Sequence, residues 1–125
     1  ISHGLVILLG VQKNDTENDA EFLVNKICGL RIFNDENDKM NLSIKDVNGS
    51  ALVISQFTLC GDTKKGRRPS FIKAATPDDG NRLYEYFMSE MKKSGVPIES
   101  GEFGAMMDVE LVNNGPVTFV LNSKD

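Results

Sequence analysis

Residues 4–11, Gly-Leu-Val-Ile-Leu-Leu-Gly-Val, contain no polar side chain. A continuous apolar run of this length, ending in polar residues, reads as a strand buried on both faces. The rest of the chain must therefore supply layers to cover it. A second apolar run, Ala51-Leu52-Val53-Ile54, opens a strand over residues 51–59. Two amphipathic stretches offer the cover. In the first, Ala20, Leu23, Val24, Ile27 and Cys28 recur at helical spacing, with Asp15 or Thr16 as cap and Gly29 as terminator. In the second, Thr76 is the N-cap, Pro77 the first helical residue, and Asp78 and Asp79 fill the first turn. Its apolar stripe is Leu83, Tyr84, Phe87, Met88 and Met91, and Gly95 and Pro97 stop it near Ser94.

The remaining strands are weaker. Residues 30–33 and 40–44 read as short strands, and Asn48-Gly49 reads as a hairpin turn into residues 51–59. Met107, Val109 and Leu111 alternate with Asp108 and Glu110, and residues 117–121 run back after the Asn113-Asn114-Gly115-Pro116 turn. The expected fold is α+β: one domain over residues 1–125, with largely antiparallel, barrel-like sheets flanked by two main helices.

Composition narrows the function. The 40% hydrophobic and 26% charged residues are ordinary for a soluble globular protein, and no run approaches the length of a membrane span. Cys28 and Cys60 read as buried, reduced thiols of a cytosolic protein. His3 is the only histidine and no Cys-x-x-Cys or His-x-x-His spacing occurs, so neither a metal, a cofactor nor a histidine-activated serine is expected. The acidic residues between 34 and 38 read as a solvated loop without the glycine and ligand spacing of a calcium site. A net charge of −4 argues against indiscriminate nucleic-acid binding. Locally the balance reverses. Between residues 61 and 71, Lys64, Lys65, Arg67 and Arg68 face Asp62 alone, a net of +3.

Polar groups fall at strand ends beside glycines: Ser55, Gln56, Thr58 and Thr118. Strand alternation puts Ser55 and Phe57 on one face and Gln56 and Thr58 on the other, unless a bulge intervenes. A hydroxyl and an amide near exposed backbone N–H groups can hold a carbonyl or an oxyanion. They can equally cap a strand end. The basic loop can bind phosphate or be a solvated surface.

Three stretches together resemble the D-aminoacyl-tRNA deacylases. They are Ser55-Gln56-Phe57-Thr58-Leu59, then Asp62-Thr63-x-x-Gly66-x-x-Pro69-Ser70-Phe71, and Asn113-Asn114-Gly115-Pro116-Val117-Thr118, with Gly101-x-Phe103-Gly104 before the last. The likeness runs over nearly the whole chain. It implies a cytoplasmic homodimer that hydrolyses the ester joining a D-amino acid, or glycine mischarged on tRNA-Ala, to the terminal adenosine of tRNA. The resemblance implies a site at the subunit interface. Ser55, Gln56, Phe57 and Thr58 would line one side, and Gly115-Pro116, with a cis bond, would enter from the partner. Backbone carbonyls there would exclude an L side chain, a form of discrimination by clash. Phe103 and Met107 would pack on the terminal adenine. Thr118 would belong to the substrate pocket, and Lys64, Lys65, Arg67 and Arg68 would meet acceptor-stem phosphates. No strong nucleophile is needed for an activated ester, and the ribose 2′-OH can assist a positioned water.

The resemblance also implies about twenty residues ahead of Ile1, an N-terminal hairpin whose absence would expose a sheet edge. Two other readings share the motifs: a related enzyme that edits L-amino acids on tRNA, and a non-catalytic RNA-binding module.

Overall fold

The computed structural model describes residues 1–125. Its elements are β1 (Gly4–Leu9), α1 (Glu17–Gly29), β2 (Phe33–Asn34), β3 (Met40–Leu42), β4 (Ser50–Ser55), a 3-10 turn (Phe57–Cys60), α2 (Pro77–Lys93) and β5 (Ile98–Ser100). The α+β class and the two helices agree with the sequence reading. The strand directions do not. The main sheet has the order β1-β4-β5, and both of its pairings are parallel, from Gly4↔Ser50 to Leu9↔Ser55 and from Ala51↔Ile98 to Val53↔Ser100. Only the two-stranded β2-β3 ribbon is antiparallel. Parallel neighbours need a crossover of a dozen or more residues, and α1 and α2 lie in those two connections.

Asn48-Gly49 is consequently not a hairpin turn. The Gly49 N–H donates to the Ile44 carbonyl at 2.9 Å, closing a compact turn with Asn48 at φ 53°. That turn delivers the chain into β4 alongside β1, and β3 pairs with β2 instead. β2 is shorter than residues 30–33 suggested, and β3 stops at Leu42. β1 is only half-buried, with Leu8 46% exposed, so its apolar run is not covered on both faces.

The core lies on one face of the sheet. Ala51 and Val53 of β4 pack with Ala20, Val24 and Ile27 of α1 and with Tyr84, Phe87, Met88 and Met91 of α2. Both helices start where the sequence places them. Thr16 and Asp19 form a capping box on α1, and the Thr76 hydroxyl accepts from the Asp79 N–H on α2. The Tyr84 hydroxyl donates to the Val53 carbonyl at 2.9 Å, tying α2 to β4 just before the site.

The C-terminal residues form no strand. The alternating hairpin expected over 107–121 is irregular and largely exposed, with Val112 and Val120 more than nine-tenths open. Alternation makes a strand only where another backbone lies alongside to pair with it. One end of this arm is pinned. The Lys124 ammonium lies 2.7 Å from Asp19 and 3.7 Å from Asp15. The Lys124 bond, followed by the Thr16 N–H, holds the Asp19 carboxyl below its ordinary value. A depressed carboxyl stabilises the fold above its unfolded pKa and loses that contribution as pH falls through the folded one. Lys124→Ala should therefore lose less stability than the unsubstituted protein between about pH 6 and about pH 3, read as urea midpoints at each pH.

Candidate active site

β4 ends at Ser55, opposite Leu9 of β1, and the ladder closes with the Gln56 N–H donating to the Leu9 carbonyl at 2.8 Å. The chain then tightens. The Leu59 N–H donates to Gln56 and the Gly61 N–H to Thr58, so residues 57–60 turn as a 3-10 helix instead of continuing the strand. Strand alternation therefore stops at Ser55. Gln56 and Thr58 are brought together by the turn itself, the Gln56 Nε2 donating to the Thr58 Oγ1 at 2.5 Å.

Phe57 and Thr58 are exposed, and their backbone N–H groups donate to no group of the chain. First residues of a helical turn leave such donors free, aimed away from the helix body. Two free N–H groups beside an amide and a hydroxyl can stabilise negative charge on a carbonyl oxygen. Neither histidine nor lysine bonds to Thr58. His3 packs edge-on to Phe33, beyond the far end of β1, roughly 20 Å of strand away from the turn. The Thr58 hydroxyl thus has no base beside it. Cys60, behind the turn, is buried, donates to the Val11 carbonyl, and has its thiol pushed up by burial, which keeps it protonated.

The second motif is a loop closed by one side chain. Asn113 accepts from the Val117 N–H at 3.0 Å and donates from Nδ2 to the Thr118 hydroxyl at 2.9 Å. Gly115 and Pro116 form the exposed tip, joined by a cis bond, with Gly115 at φ 131°. The sequence predicts Asn113 as an ordinary turn residue. Its side chain instead closes the loop, bonding both Val117 and Thr118, and only its spacing from those two residues marks this in the sequence. No hydrogen bond joins residues 113–118 to residues 55–58 within the chain.

Phe103 packs on α2, its ring 6.0 Å from that of Tyr84. Met107 lies against Gly101 and lines a crevice with Leu52, Ile54, Ser100, Asp108 and Glu110. Leu52 and Ile54 alternate with the core-facing Val53, so this crevice opens on the other face of β4.

The basic residues sit on a loop closed at its base by a single antiparallel bridge. Asp62 and Ser70 exchange backbone hydrogen bonds at 2.7 and 2.9 Å, and the Asp62 carboxylate accepts from the Lys64 N–H. Lys64, Lys65, Arg67 and Arg68 are all exposed.

Known proteins resemble this chain over nearly all of it. The family described as D-Tyr-tRNA(Tyr) deacylase matches residues 1–122. Proteins named D-aminoacyl-tRNA deacylase from Koribacter versatilis and Bacillus cytotoxicus are each 57% identical over 124 residues, which is 99% of this chain and 83% and 85% of theirs. Among solved structures, a chain described as c-Myc DNA Unwinding Element Binding Protein superposes with a TM-score of 0.83 at 37% identity, covering 90% of this chain and 76% of that one.

Proposed function

Because the chain belongs to the D-Tyr-tRNA(Tyr) deacylase family of hydrolases, we propose that it cleaves the ester between a D-amino acid and the 3′-terminal adenosine of tRNA. The observation that carries this reading is the exposed Phe57–Thr58 turn, with two free N–H groups beside the bonded pair Gln56–Thr58. A water attacks the ester carbonyl carbon. The developing oxyanion is held by the Phe57 and Thr58 N–H groups. The bond to the ribose oxygen then breaks, and the water proton passes to that oxygen. The neighbouring ribose 2′-OH orients the water, since no side chain at the turn is a base. Thr58 and Gln56 orient the scissile group, and Ser55 sets the end of the strand that carries them.

Chiral selection is assigned to Gly115 and Pro116. Carbonyls at the tip of the Asn113-clamped loop would occupy the space an L side chain needs, so few contacts to the amino acid itself are required. The loop makes no hydrogen bond to its own chain's turn, which favours its acting on the turn of a second copy in a homodimer. The same exclusion admits glycine, so Gly-tRNA formed on tRNA-Ala is a second substrate.

Deacylation of D-Tyr-tRNA and L-Tyr-tRNA by the purified protein tests the reading. Hydrolysis of the D form with the L form spared is expected, and hydrolysis of neither, or of both equally, overturns it. A sharper test concerns Thr58. Thr58→Val removes the hydroxyl but keeps the shape. An orienting role predicts a loss of about ten-fold in kcat/KM, whereas a nucleophile's loss would approach the far larger factors seen when covalent catalysis is removed. A D-aminoacyl-tRNA with a 2′-deoxy terminal adenosine should be nearly inert.

One relative favours a second reading. The 37%-identical chain is named for binding a DNA element, which suits a nucleic-acid-binding module without catalysis. Binding of tRNA with no hydrolysis in the same assay would select it.

A further inference from the structure

The face between Phe57 and Lys73 carries more than the reaction above uses. Phe57 is 58% exposed and Phe71 38%, and their rings meet edge to face with centroids 5.1 Å apart. Phe71 is held in place. A Cβ on Gly61 would lie 3.0 Å from its Cε1, so the ring rests directly on the backbone of the turn. The basic loop leaves the same base, since Asp62 and Ser70, the residues bordering Gly61 and Phe71, are hydrogen-bonded to each other. Asp62 is the only acid there. Its carboxylate is engaged by the Lys64 N–H and by Lys73 at 3.9 Å. Lys64, Lys65, Arg67 and Arg68 therefore form no ion pair.

An exposed aromatic pair costs apolar surface left in water. Four unpaired cations cost mutual repulsion. Together above the Asp62–Ser70 bridge they match a ligand with a flat π-face on one side and phosphates on the other, which is an unpaired stretch of nucleic acid. We propose that Phe71, braced by Phe57, stacks on an unpaired nucleotide preceding the aminoacylated adenosine of the RNA substrate, and that the Lys64–Arg68 loop holds the phosphates leading to it. The inference rests on the RNA substrate assigned above and deepens it by naming the part of the RNA read. Phe71 is a positioning residue. It holds the strand so that the ester reaches the Phe57–Thr58 turn.

The test uses 5′-labelled RNA minihelices, one ending in an unpaired 3′ tail and one blunt, titrated by fluorescence anisotropy. Phe71→Leu keeps apolar bulk and removes the π-face. It should weaken tail binding by roughly five-fold or more and leave blunt binding unchanged. Arg67→Gln with Arg68→Gln should weaken both and, for the tailed RNA, flatten the dependence of log affinity on log salt by about 1.4 for two lost phosphate contacts to a single strand. A minihelix with 2-aminopurine in the tail needs no variant: its fluorescence should be quenched on binding the unsubstituted protein. Equal tail affinity of Phe71→Leu, or an unquenched probe, overturns the proposal. So does a Phe71→Leu variant that changes sedimentation but not tail binding, which would assign the patch to a second protein copy. These outcomes are independent of the deacylation assay. A protein that hydrolyses D-Tyr-tRNA yet leaves the probe unquenched retains the proposed function and loses only this inference.

Discussion

Gly115→Ala should lower the ratio of kcat/KM for D-Tyr-tRNA over L-Tyr-tRNA by about ten-fold or more, the equivalent of roughly 1.4 kcal/mol of discrimination. The reason is local geometry. Gly115 sits at φ 131°, a region that residues with a Cβ rarely adopt, and the new Cβ would meet Val117 Cγ2 at 2.7 Å and Val117 N at 3.1 Å. The loop cannot absorb this at its base, because Asn113 already holds both Val117 and Thr118. The shift must appear at the tip, in the carbonyls proposed to exclude an L side chain. Exclusion is sensitive to such displacements, since a clash relieved by about an ångström is no longer a clash. Asn113→Ala should act in the same direction and less strongly, because it frees the loop without forcing it to move. Parallel kinetics on both substrates, with circular dichroism to verify folding, would measure the effect. A Gly115→Ala enzyme with both constants unchanged would remove the loop from chiral selection.

What could be read from the sequence divides along the range of the forces involved. α2 was legible almost to the residue, because Thr76, Pro77, Asp79 and Gly95 act on their own neighbours. Sheet direction was not. Apolar runs at residues 4–11 and 51–54 announce strands, yet whether they pair parallel depends on what lies between them, and Asn48-Gly49 offered a misleading hairpin. β5, three residues long and without alternation, left no pattern to find. The C-terminal arm failed in the opposite sense. Val109, Leu111, Phe119 and Leu121 have strand periodicity, but the chain supplies no neighbouring backbone for them.

The site shows the same division. Ser55-Gln56-Phe57-Thr58 stands out as a motif, but the alternating faces expected of it are not realised, because the strand becomes a 3-10 turn after Gln56 bonds to Leu9. That change puts Gln56 and Thr58 in contact and leaves the Phe57 and Thr58 N–H groups free, the features the proposed chemistry uses. The clamp made by Asn113 depends on two partners four and five residues away, within a segment that has no regular period to reveal it.

Phe87→Ala should be the most destabilising single change, costing about 3–5 kcal/mol against a total stability of about 5–15 kcal/mol for a domain of this kind. Two effects oppose each other here. Alanine is the better helix former, which favours the variant by a few tenths, about 0.5 kcal/mol. Packing acts the other way and is larger. The Phe87 side chain has no exposed surface and sits in the cluster with Ala51 and Val53 of β4 and Val24 of α1, so its removal leaves a cavity where both helices meet the sheet. α2 also carries Tyr84, whose hydroxyl holds the Val53 carbonyl two residues before Ser55, so loosening α2 loosens the strand that presents the Phe57–Thr58 turn. Glu85→Ala is the control: its side chain is exposed on the same helix, and the change should stay within about 0.5 kcal/mol. Urea denaturation of the three proteins decides the matter. With a slope of about 1–3 kcal/mol per molar, Phe87→Ala should lower the midpoint by roughly 1 M or more. A midpoint that rises, or falls no further than that of Glu85→Ala, would mean that helix propensity outweighs packing and that Phe87 is not the centre of this core.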